Sequence, residues 1–281
     1  MKIKNKKLRI FMSRKMSVVG LVVFIIILFA VFVGPYLTTH EPLRMDINNR
    51  FAGVSLRNPF GTDAMGRDIF TRVIHGGQIS IGLALFGVSF GAGVGIVFGI
   101  LAGYYGGFLD AIVSRVTDFL MAVPPFMIAI VSLLVLGSGG TNAAIAVGIS
   151  LIPIFMRMTR GGVIAIKDLD YVKSCRILGI SDLRILMTHV LPGVIPLIVV
   201  TFTINLGTAL LTISTLSFLG IGVNPPSPEW GALMADARLN LLDIPLLLFG
   251  PGLAMTLFVM STSLIGDGLR DALDSKSVEG V

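Results

Sequence analysis

The chain has 281 residues, of which 54% are hydrophobic and only 14% are charged. Soluble domains contain about a quarter charged residues, so this composition excludes a water-soluble enzyme. The 33 glycines suit closely packed membrane helices, and a single cysteine excludes both an internal disulfide and a cysteine-based metal cluster. We therefore expect an all-α, polytopic membrane protein.

Six segments are apolar and nearly long enough to span a hydrocarbon core of about 30 Å, which takes about 20 residues. A basic stretch precedes the first segment, but the apolar run is too long for a cleaved signal and no small-residue cleavage site follows it. The fourth segment is short and the fifth contains Asn205, so their boundaries are the least defined. The predicted spans are residues 18–37, 79–103, 112–136, 142–158, 192–213 and 245–266.

Lys and Arg are unevenly divided between the two sides that six spans create. Residues 1–17 hold seven, residues 157–184 hold six, and Arg115, Arg270 and Lys276 raise this side to sixteen of the 22. The positive-inside rule therefore places both termini and the 157–190 loop in the cytoplasm. A basic N-terminus can also bind nucleic acid, but beside a membrane span we interpret it as a topology signal and expect no nucleic-acid partner.

These spans and loops divide the chain into five parts. They are a basic cytoplasmic N-terminus (1–17), the first transmembrane helix (18–37), an extracytoplasmic segment (38–78), a transmembrane core (79–266) with a cytoplasmic loop at 168–192, and a cytoplasmic tail (267–281).

The second predicted span contains a row of regularly spaced glycines, which we call the glycine ladder. Its members recur every fourth residue and so share one helical face, where the missing side chains let another helix approach closely. We expect tight helix packing on this face, while a glycine-lined substrate path is the less favoured alternative. The ladder consists of Gly87, Gly91, Gly95, Gly99 and Gly103.

The predicted spans offer little chemistry of their own. Asp118 lies near the cytoplasmic end of the third span, where we expect it to pair with Arg115, and Asp267 follows the sixth. An ion-coupled carrier usually needs a carboxylate near the middle of the bilayer, and none is predicted there. The chain also lacks a G-x-x-x-x-G-K-[ST] phosphate loop, and its three histidines, His40, His75 and His189, lack metal-ligand spacing. We expect no catalysis and no metal site.

The extracytoplasmic segment contains a turn at residues 58–61 followed by a helical pattern. Thr62 or Asp63 can cap a helix over residues 64–75. Its apolar face predicts a helix lying in the membrane interface, with Asp68 and Arg72 forming an i,i+4 ion pair.

The long cytoplasmic loop predicts two short helices joined at a corner. The first begins near Asp170, Gly179 ends it, and Ser181 with Asp182 caps the second, which runs to Leu191 before Pro192. This cytoplasmic protrusion of residues 168–192, which we call the knob, could simply connect two spans. We expect four of its apolar side chains to be exposed, which favours a protein partner instead. They are Tyr171, Ile177, Leu178 and Ile180.

Five stretches of the sequence together resemble the permease subunits of ABC importers, specifically the C-type subunit of dipeptide, oligopeptide and nickel systems. The third of these resembles the EAA loop of that family, with the expected glycine at Gly179 and the Leu191-Pro192 ending. The match is collinear over most of the chain. The five stretches are residues 58–72, 102–124, 171–192, 217–231 and 266–273.

The resemblance implies a subunit that moves cargo without catalysing a reaction. In that family the EAA loop forms coupling helices that dock on separate ATPase subunits, which bind the ATP and Mg²⁺. A second, homologous permease completes the pore, and an extracytoplasmic binding protein delivers the cargo. The residues that the resemblance assigns to this loop are Asp170, Tyr171, Lys173, Ser174, Cys175, Arg176, Gly179, Ser181, Asp182, Arg184, His189 and Pro192.

The chain departs from the family pattern at the three residues that name the EAA loop. Lys173, Ser174 and Cys175 stand where that family has Glu, Ala and Ala. Ser and Cys remain small enough for close approach, but Lys inverts a charge. Either an acidic partner surface faces Lys173, or its side chain points into solvent.

The resemblance also narrows the cargo and the location. Short peptides are the commonest cargo of the family, with nickel or a metal chelate as the alternative, and the location is a bacterial or archaeal cell membrane. The 13 methionines do not favour metal, because Met commonly fills helix interfaces. An ion-coupled carrier and a membrane-embedded enzyme remain the alternatives from other classes.

Overall fold

The structure is a computed structural model that describes residues 2–38, 40–238, 240 and 244–273. Its elements are helices, with no β-strand in those ranges, which confirms the expected all-α fold. The helices are α1 Lys2–Ser13, α2 Lys15–Phe32, α3 Gly34–Leu37, α4 Ile69–Tyr105, α5 Gly107–Met121, α6 Pro125–Leu136, α7 Gly140–Lys167, α8 Asp170–Ile177, α9 Asp182–Ile185, α10 Leu191–Phe218, α11 Trp230–Arg238 and α12 Leu246–Leu273.

Within the described residues, five helical stretches are long and apolar enough to cross a membrane: α2, α4, α7, the continuous run from α9 to α10, and α12. The pair α5 and α6 forms a sixth if it is taken as one span. Six predicted spans therefore agree with the fold.

The third predicted span is bent by 95° between α5 and α6. Pro124 and Pro125 lie at the break, and Pro124 adopts an extended backbone conformation with ψ 132. A proline disfavours helical geometry in the residue before it, and it offers no N–H for the helix. The two consecutive prolines explain why this span cannot be one straight helix.

The prediction of an interfacial helix over residues 64–75 is wrong. Helix α4 begins at Ile69 and continues for 37 residues through the second span. Its N-cap is Asp68, whose carboxylate accepts a hydrogen bond from the backbone N–H of Thr71 at 2.8 Å, and not Thr62 or Asp63. The helix-compatible residues simply extend the span, because no residue between 69 and 105 interrupts the helix.

The helices that form the fourth and sixth spans, α7 and α12, extend beyond the predicted ends of those spans. Helix α7 reaches Lys167, so Arg157 and Arg160 lie inside it and not in the following loop. Helix α12 continues past Asp267 to Leu273. The part of the predicted tail from residue 274 onward, with Lys276, lies outside the described residues.

Both described ends of the chain lie on the same face of the helix bundle. Arg14, where α1 meets α2, forms an ion pair of 2.6 Å with Asp271 near the end of α12. Helix α2 then runs to the opposite face, where Val31 contacts Gly77 near the start of α4. Helix α4 returns, so its last residues share the face of Arg14. We call this the coupling-loop face, because α8 and α9 also lie there.

Candidate functional site

The predicted knob on the coupling-loop face begins with α8 and turns at Gly179. Asp170 lies in the first turn of α8, and the hydroxyl of Ser174 donates to the carbonyl oxygen of Asp170 at 2.8 Å. Gly179 has φ +75, a backbone conformation that L side chains rarely adopt. The chain therefore reverses at this glycine, as the sequence predicts.

The second helix of the knob is not a separate short helix. From Asp182 the chain is helical through α9, a π-helical segment at Leu186–Val190, and α10 to Phe218. Pro192 falls in the first turn of α10 and does not end the helix. The wider π-helical turn before it accommodates a proline ring that an ordinary turn would exclude. The second half of the knob is therefore one continuous helix with a transmembrane span.

Helix α4 contacts both helices of the knob through Tyr104. The Tyr104 hydroxyl donates a hydrogen bond of 2.6 Å to Oδ1 of Asp182. The guanidinium of Arg176 lies 4.9 Å above the Tyr104 ring centre, a cation–π contact. The interaction with the Tyr104 hydroxyl also raises the pKa of Arg176 above its usual value. One tyrosine thus joins both halves of the knob to the span.

An apolar cluster fills the underside of the knob. Cys175 and Ile180 are half-buried and pack against it, so the expectation of an exposed Ile180 is wrong. Ile180 turns inward because it follows the Gly179 reversal. The buried members of the cluster are Tyr104, Val163, Val172, Ile185, Leu186, Val190 and Val194.

The outer surface of the knob is apolar and exposed. Ile177 is 85% exposed and Leu178 is 77% exposed, and Tyr171 packs edge-on against His189 with 6.3 Å between ring centres. Leu183 and Met187, which were not predicted as part of this surface, extend it. Their i,i+4 spacing, which places them on one helical face, was the available signal.

The remaining residues assigned to the loop lie on or near the same surface. Lys173 and Arg184 are exposed. Ser181 occupies the N-cap position of α9, but its side chain makes no capping hydrogen bond. Pro192 is exposed at the start of α10. At the altered EAA positions, Lys173 and Ser174 thus face outward, while Cys175 packs inward.

The glycine ladder of α4 lies against α7 along its whole length. A Cβ atom added to Gly91 would lie 2.5 Å from the carbonyl oxygen of Gly148, and one on Gly95 would lie 2.6 Å from Cβ of Phe155. Such distances are shorter than real Cβ contacts, so no larger residue fits without moving the helices. The remaining ladder glycines approach α7 in the same way: Gly87, Gly99 and Gly103.

Comparison with known proteins accounts for nearly the whole chain. Residues 95–278 match the model of the binding-protein-dependent transport system inner membrane component, and residues 7–57 match the N-terminal transmembrane domain of oligopeptide transport permease C. The chain is 44% identical over 256 residues to the glutathione transport system permease protein GsiD of Escherichia coli O157:H7, covering 91% of this chain and 84% of the relative. The same protein of Shigella boydii serotype 4 matches equally.

The chain belongs to the binding-protein-dependent transport permease family. It is therefore a multi-pass inner-membrane permease subunit of an ABC importer of the peptide and nickel type, which confirms the resemblance. A permease of this family is not itself catalytic.

On the face opposite the coupling loop, the permease contains a buried network of charges. Oδ2 of Asp63 accepts hydrogen bonds from Arg67 Nε at 2.7 Å and from Arg72 Nη1 at 2.6 Å. Asp236 of α11 lies 3.6 Å from Arg67 and 3.7 Å from Arg72. The expected pair of Asp68 with Arg72 is wrong, because Asp68 is occupied as the N-cap of α4. The network ties the segment that precedes α4 to α11.

A second buried carboxylate, Glu229, joins three helices of the permease. Its Oε1 accepts from the hydroxyls of Ser80 at 3.1 Å and Ser214 at 2.7 Å, and its Oε2 accepts from the N–H of Ala232 at 2.9 Å. The indole of Trp230 donates to the carbonyl oxygen of Val73 at 2.8 Å. These contacts lock α4, α10 and α11 together. The Pro-rich stretch before Glu229 gave no signal for them.

Two ion pairs connect α5 to α7. Asp110 accepts two hydrogen bonds from Arg160, from Nε and from Nη2. Asp118 accepts one from Nη2 of Arg157 at 2.6 Å. The expected pairing of Asp118 with Arg115 is wrong, because α7 packs beside α5 and presents an arginine to the carboxylate.

Proposed function

We propose that this permease forms half of a translocation pathway for short peptides, driven by ATP hydrolysis in separate subunits. One observation carries this proposal: the exposed apolar knob of α8 and α9 continues directly into the α10 span. A docking partner that pushes on Ile177 and Leu178 therefore moves a transmembrane helix without an intervening loop. Cargo then moves because the spans rearrange, and the chain itself needs no nucleotide.

The coupling-loop face is the cytoplasmic face in this proposal. It carries both described chain ends, the basic α1, and the knob, so the positive-inside rule and the packing of α2 with α12 favour the same orientation. ATPase subunits that bind ATP and Mg²⁺ dock on this face. A second, homologous permease completes the pore, and an extracytoplasmic binding protein meets the opposite face.

The cargo in this proposal is a short peptide. The relatives that match this chain carry the name of glutathione transport permeases, and glutathione is a tripeptide. A second match is to the N-terminal domain of an oligopeptide permease. Both names favour peptides over the alternative, a nickel ion or a metal chelate.

The docking part of the proposal is tested by a pull-down from mild detergent. Ile177→Asp and Leu178→Asp place a charge on the exposed knob without disturbing buried residues. Leu56→Asp is the matched control, because Leu56 is a fully exposed apolar residue outside the knob. We expect the native chain and Leu56→Asp to recover ATPase subunits, and the two knob variants to lose them. Equal recovery by all four would refute docking at the knob.

The cargo part is tested by uptake into proteoliposomes that contain the complete complex, ATP and the loaded binding protein. We expect ATP-dependent uptake of glutathione or another tripeptide. Uptake of a nickel chelate, without uptake of any peptide, would refute the peptide cargo and support the alternative.

A further inference from the structure

The ion pair between Arg157 and Asp118 is exposed at a depth where lipid should surround the protein. The Arg157 side chain is 53% exposed and that of Asp118 is 65% exposed. Arg157 lies ten residues before the end of the 28-residue helix α7, or about 15 Å from the coupling-loop face at about 1.5 Å per residue. A core of about 30 Å centred on this helix includes that depth.

Charged side chains at such a depth face the bundle interior or a water-filled cavity and avoid lipid. A lipid-facing surface at the same level looks different. Gly95 and Gly99 of α4 contact α7 between Ile152 and Arg160, so Val97 lies at the level of Arg157. Val97 is exposed among apolar neighbours on α4, Phe86, Phe90 and Gly93. At this depth the α5–α7 surface exposes the charges of Arg157 and Asp118, whereas Val97 has apolar neighbours.

The two ion pairs between α5 and α7 differ in their burial and in their number of hydrogen bonds. Arg160 binds Asp110 through two hydrogen bonds, and both side chains are at least two-thirds buried. Among the described residues, Arg157 makes a single side-chain hydrogen bond, through Nη2 to Asp118. A guanidinium has five N–H donors, so Arg157 has four that Asp118 does not use. A dry cover would leave these donors unpaired, whereas water satisfies them.

We propose that Arg157 and Asp118 line the water-filled translocation pathway, and that Arg157 transiently binds the carboxylate of the cargo. The second half rests on the proposed peptide function. A guanidinium matches a carboxylate with two parallel hydrogen bonds. Because the cargo replaces Asp118 as the partner of Arg157, the guanidinium is never left without a counter-charge. Asp118 then recaptures Arg157, which keeps the contact weak enough for cargo to leave.

Whether water reaches the surface around Arg157 and Asp118 is tested without any cargo. The chain has one cysteine, so Cys175→Ser removes the single thiol of this chain. Single cysteines are then placed at Ala122, one turn beyond Asp118, at Gly161, one turn beyond Arg157, and at Val97 as the control. Both Ala122 and Gly161 are exposed, and a Cβ on Gly161 meets no atom within 4 Å. The probe is a charged, membrane-impermeant thiol reagent applied to the complete complex in proteoliposomes.

We expect the Ala122→Cys and Gly161→Cys variants to react at least about tenfold faster than Val97→Cys, because only hydrated thiols ionise and meet the reagent. Reaction of both as slowly as Val97→Cys would overturn the proposal and indicate that lipid or the second permease covers the pair. Reaction at Gly161→Cys alone would also overturn it, since water would then stop short of the pair.

The carboxylate role is tested with a peptide and its C-terminal amide, each normalised to its occupancy of the binding protein. We expect Arg157→Gln to lower the carboxylate-to-amide uptake ratio about tenfold, and Arg157→Lys, which keeps the charge, to preserve most of it. An unchanged ratio in Arg157→Gln would overturn this role. If the native complex imports neither peptide, the peptide function and the carboxylate role both fail, while the labelling rates still decide whether the pair lines the pathway.

Discussion

The hydroxyl of Tyr104 at the end of α4 donates a hydrogen bond of 2.6 Å to Asp182 at the start of α9. The same ring lies beneath the guanidinium of Arg176 in α8. The helix that carries the glycine ladder therefore also holds both helices of the coupling knob. In the proposed function, force applied at the knob reaches α4 through this tyrosine and α10 through the continuous helix.

Tyr104→Phe tests this connection. The variant keeps the ring under Arg176 and removes the hydrogen bond to Asp182, which we expect to loosen the knob by about 1 kcal/mol. The number of peptides imported per ATP hydrolysed should fall, while ATPase subunits still bind. Tyr105→Phe is the control, because Tyr105 is 56% exposed and lies next in the chain. Equal coupling ratios in the two variants would show that the hydroxyl does not transmit movement.

The glycine ladder predicts opposite results for two neighbouring glycines. In Gly91→Ala the new Cβ meets the carbonyl oxygen of Gly148 at 2.5 Å, so α4 and α7 must separate, at a cost of about 1–3 kcal/mol. In Gly93→Ala the new Cβ meets no atom within 4 Å. We expect the melting temperature in detergent to fall in Gly91→Ala and not to fall in Gly93→Ala. Alanine raises the helix propensity equally at both positions, so equal melting temperatures of the two variants would contradict the close approach of α4 to α7 at Gly91.

Gly179 predicts a functional effect that backbone strain alone does not produce. Gly179 and Gly220 both have positive φ, +75 and +82, and neither has an atom within 4 Å of an added Cβ. Alanine at either position should therefore be strained by about 1–2 kcal/mol. Only Gly179→Ala should lower ATP-dependent uptake, because only Gly179 shapes the knob. If Gly220→Ala lowers uptake equally, the effect reflects general destabilisation.

The buried charge network predicts a severe effect from one neutral substitution. Asp63→Asn leaves Arg67 and Arg72 without their shared carboxylate in a site where both are nearly fully buried. Breaking such a pair typically costs about 3–5 kcal/mol. The extracytoplasmic segment should become sensitive to protease in intact membranes. Asp46→Asn is the control, since Asp46 is outside the network, and it should leave the cleavage rate unchanged.

Much of the fold could be predicted because its signals are short-range. Apolar runs of about 20 residues marked the spans, and glycines every four residues marked the face of α4 that packs on α7. Gly179 marked the reversal of the knob because few other residues adopt its φ. Each of these signals depends on residues within a few turns of one another, so a single sequence contains all of the information.

The failures share a different physical origin. The sequence suggested that Asp118 pairs with Arg115 and Asp68 with Arg72, because those residues are neighbours on a single helix. The structure pairs Asp118 with Arg157 and Arg72 with Asp63. Choosing between such partners requires knowing which helices lie side by side, and local spacing does not contain that information.

The sequence by itself determined the membrane class, the number of apolar segments, the glycine face and the glycine corner of the knob, because composition and helical period act within one segment. The tertiary structure alone decided that α9 continues into α10 across Pro192 and that Arg157 meets Asp118 within a span. These features depend on packing between segments distant in the chain, where the surroundings decide whether a helix continues through a proline and which charge a side chain meets.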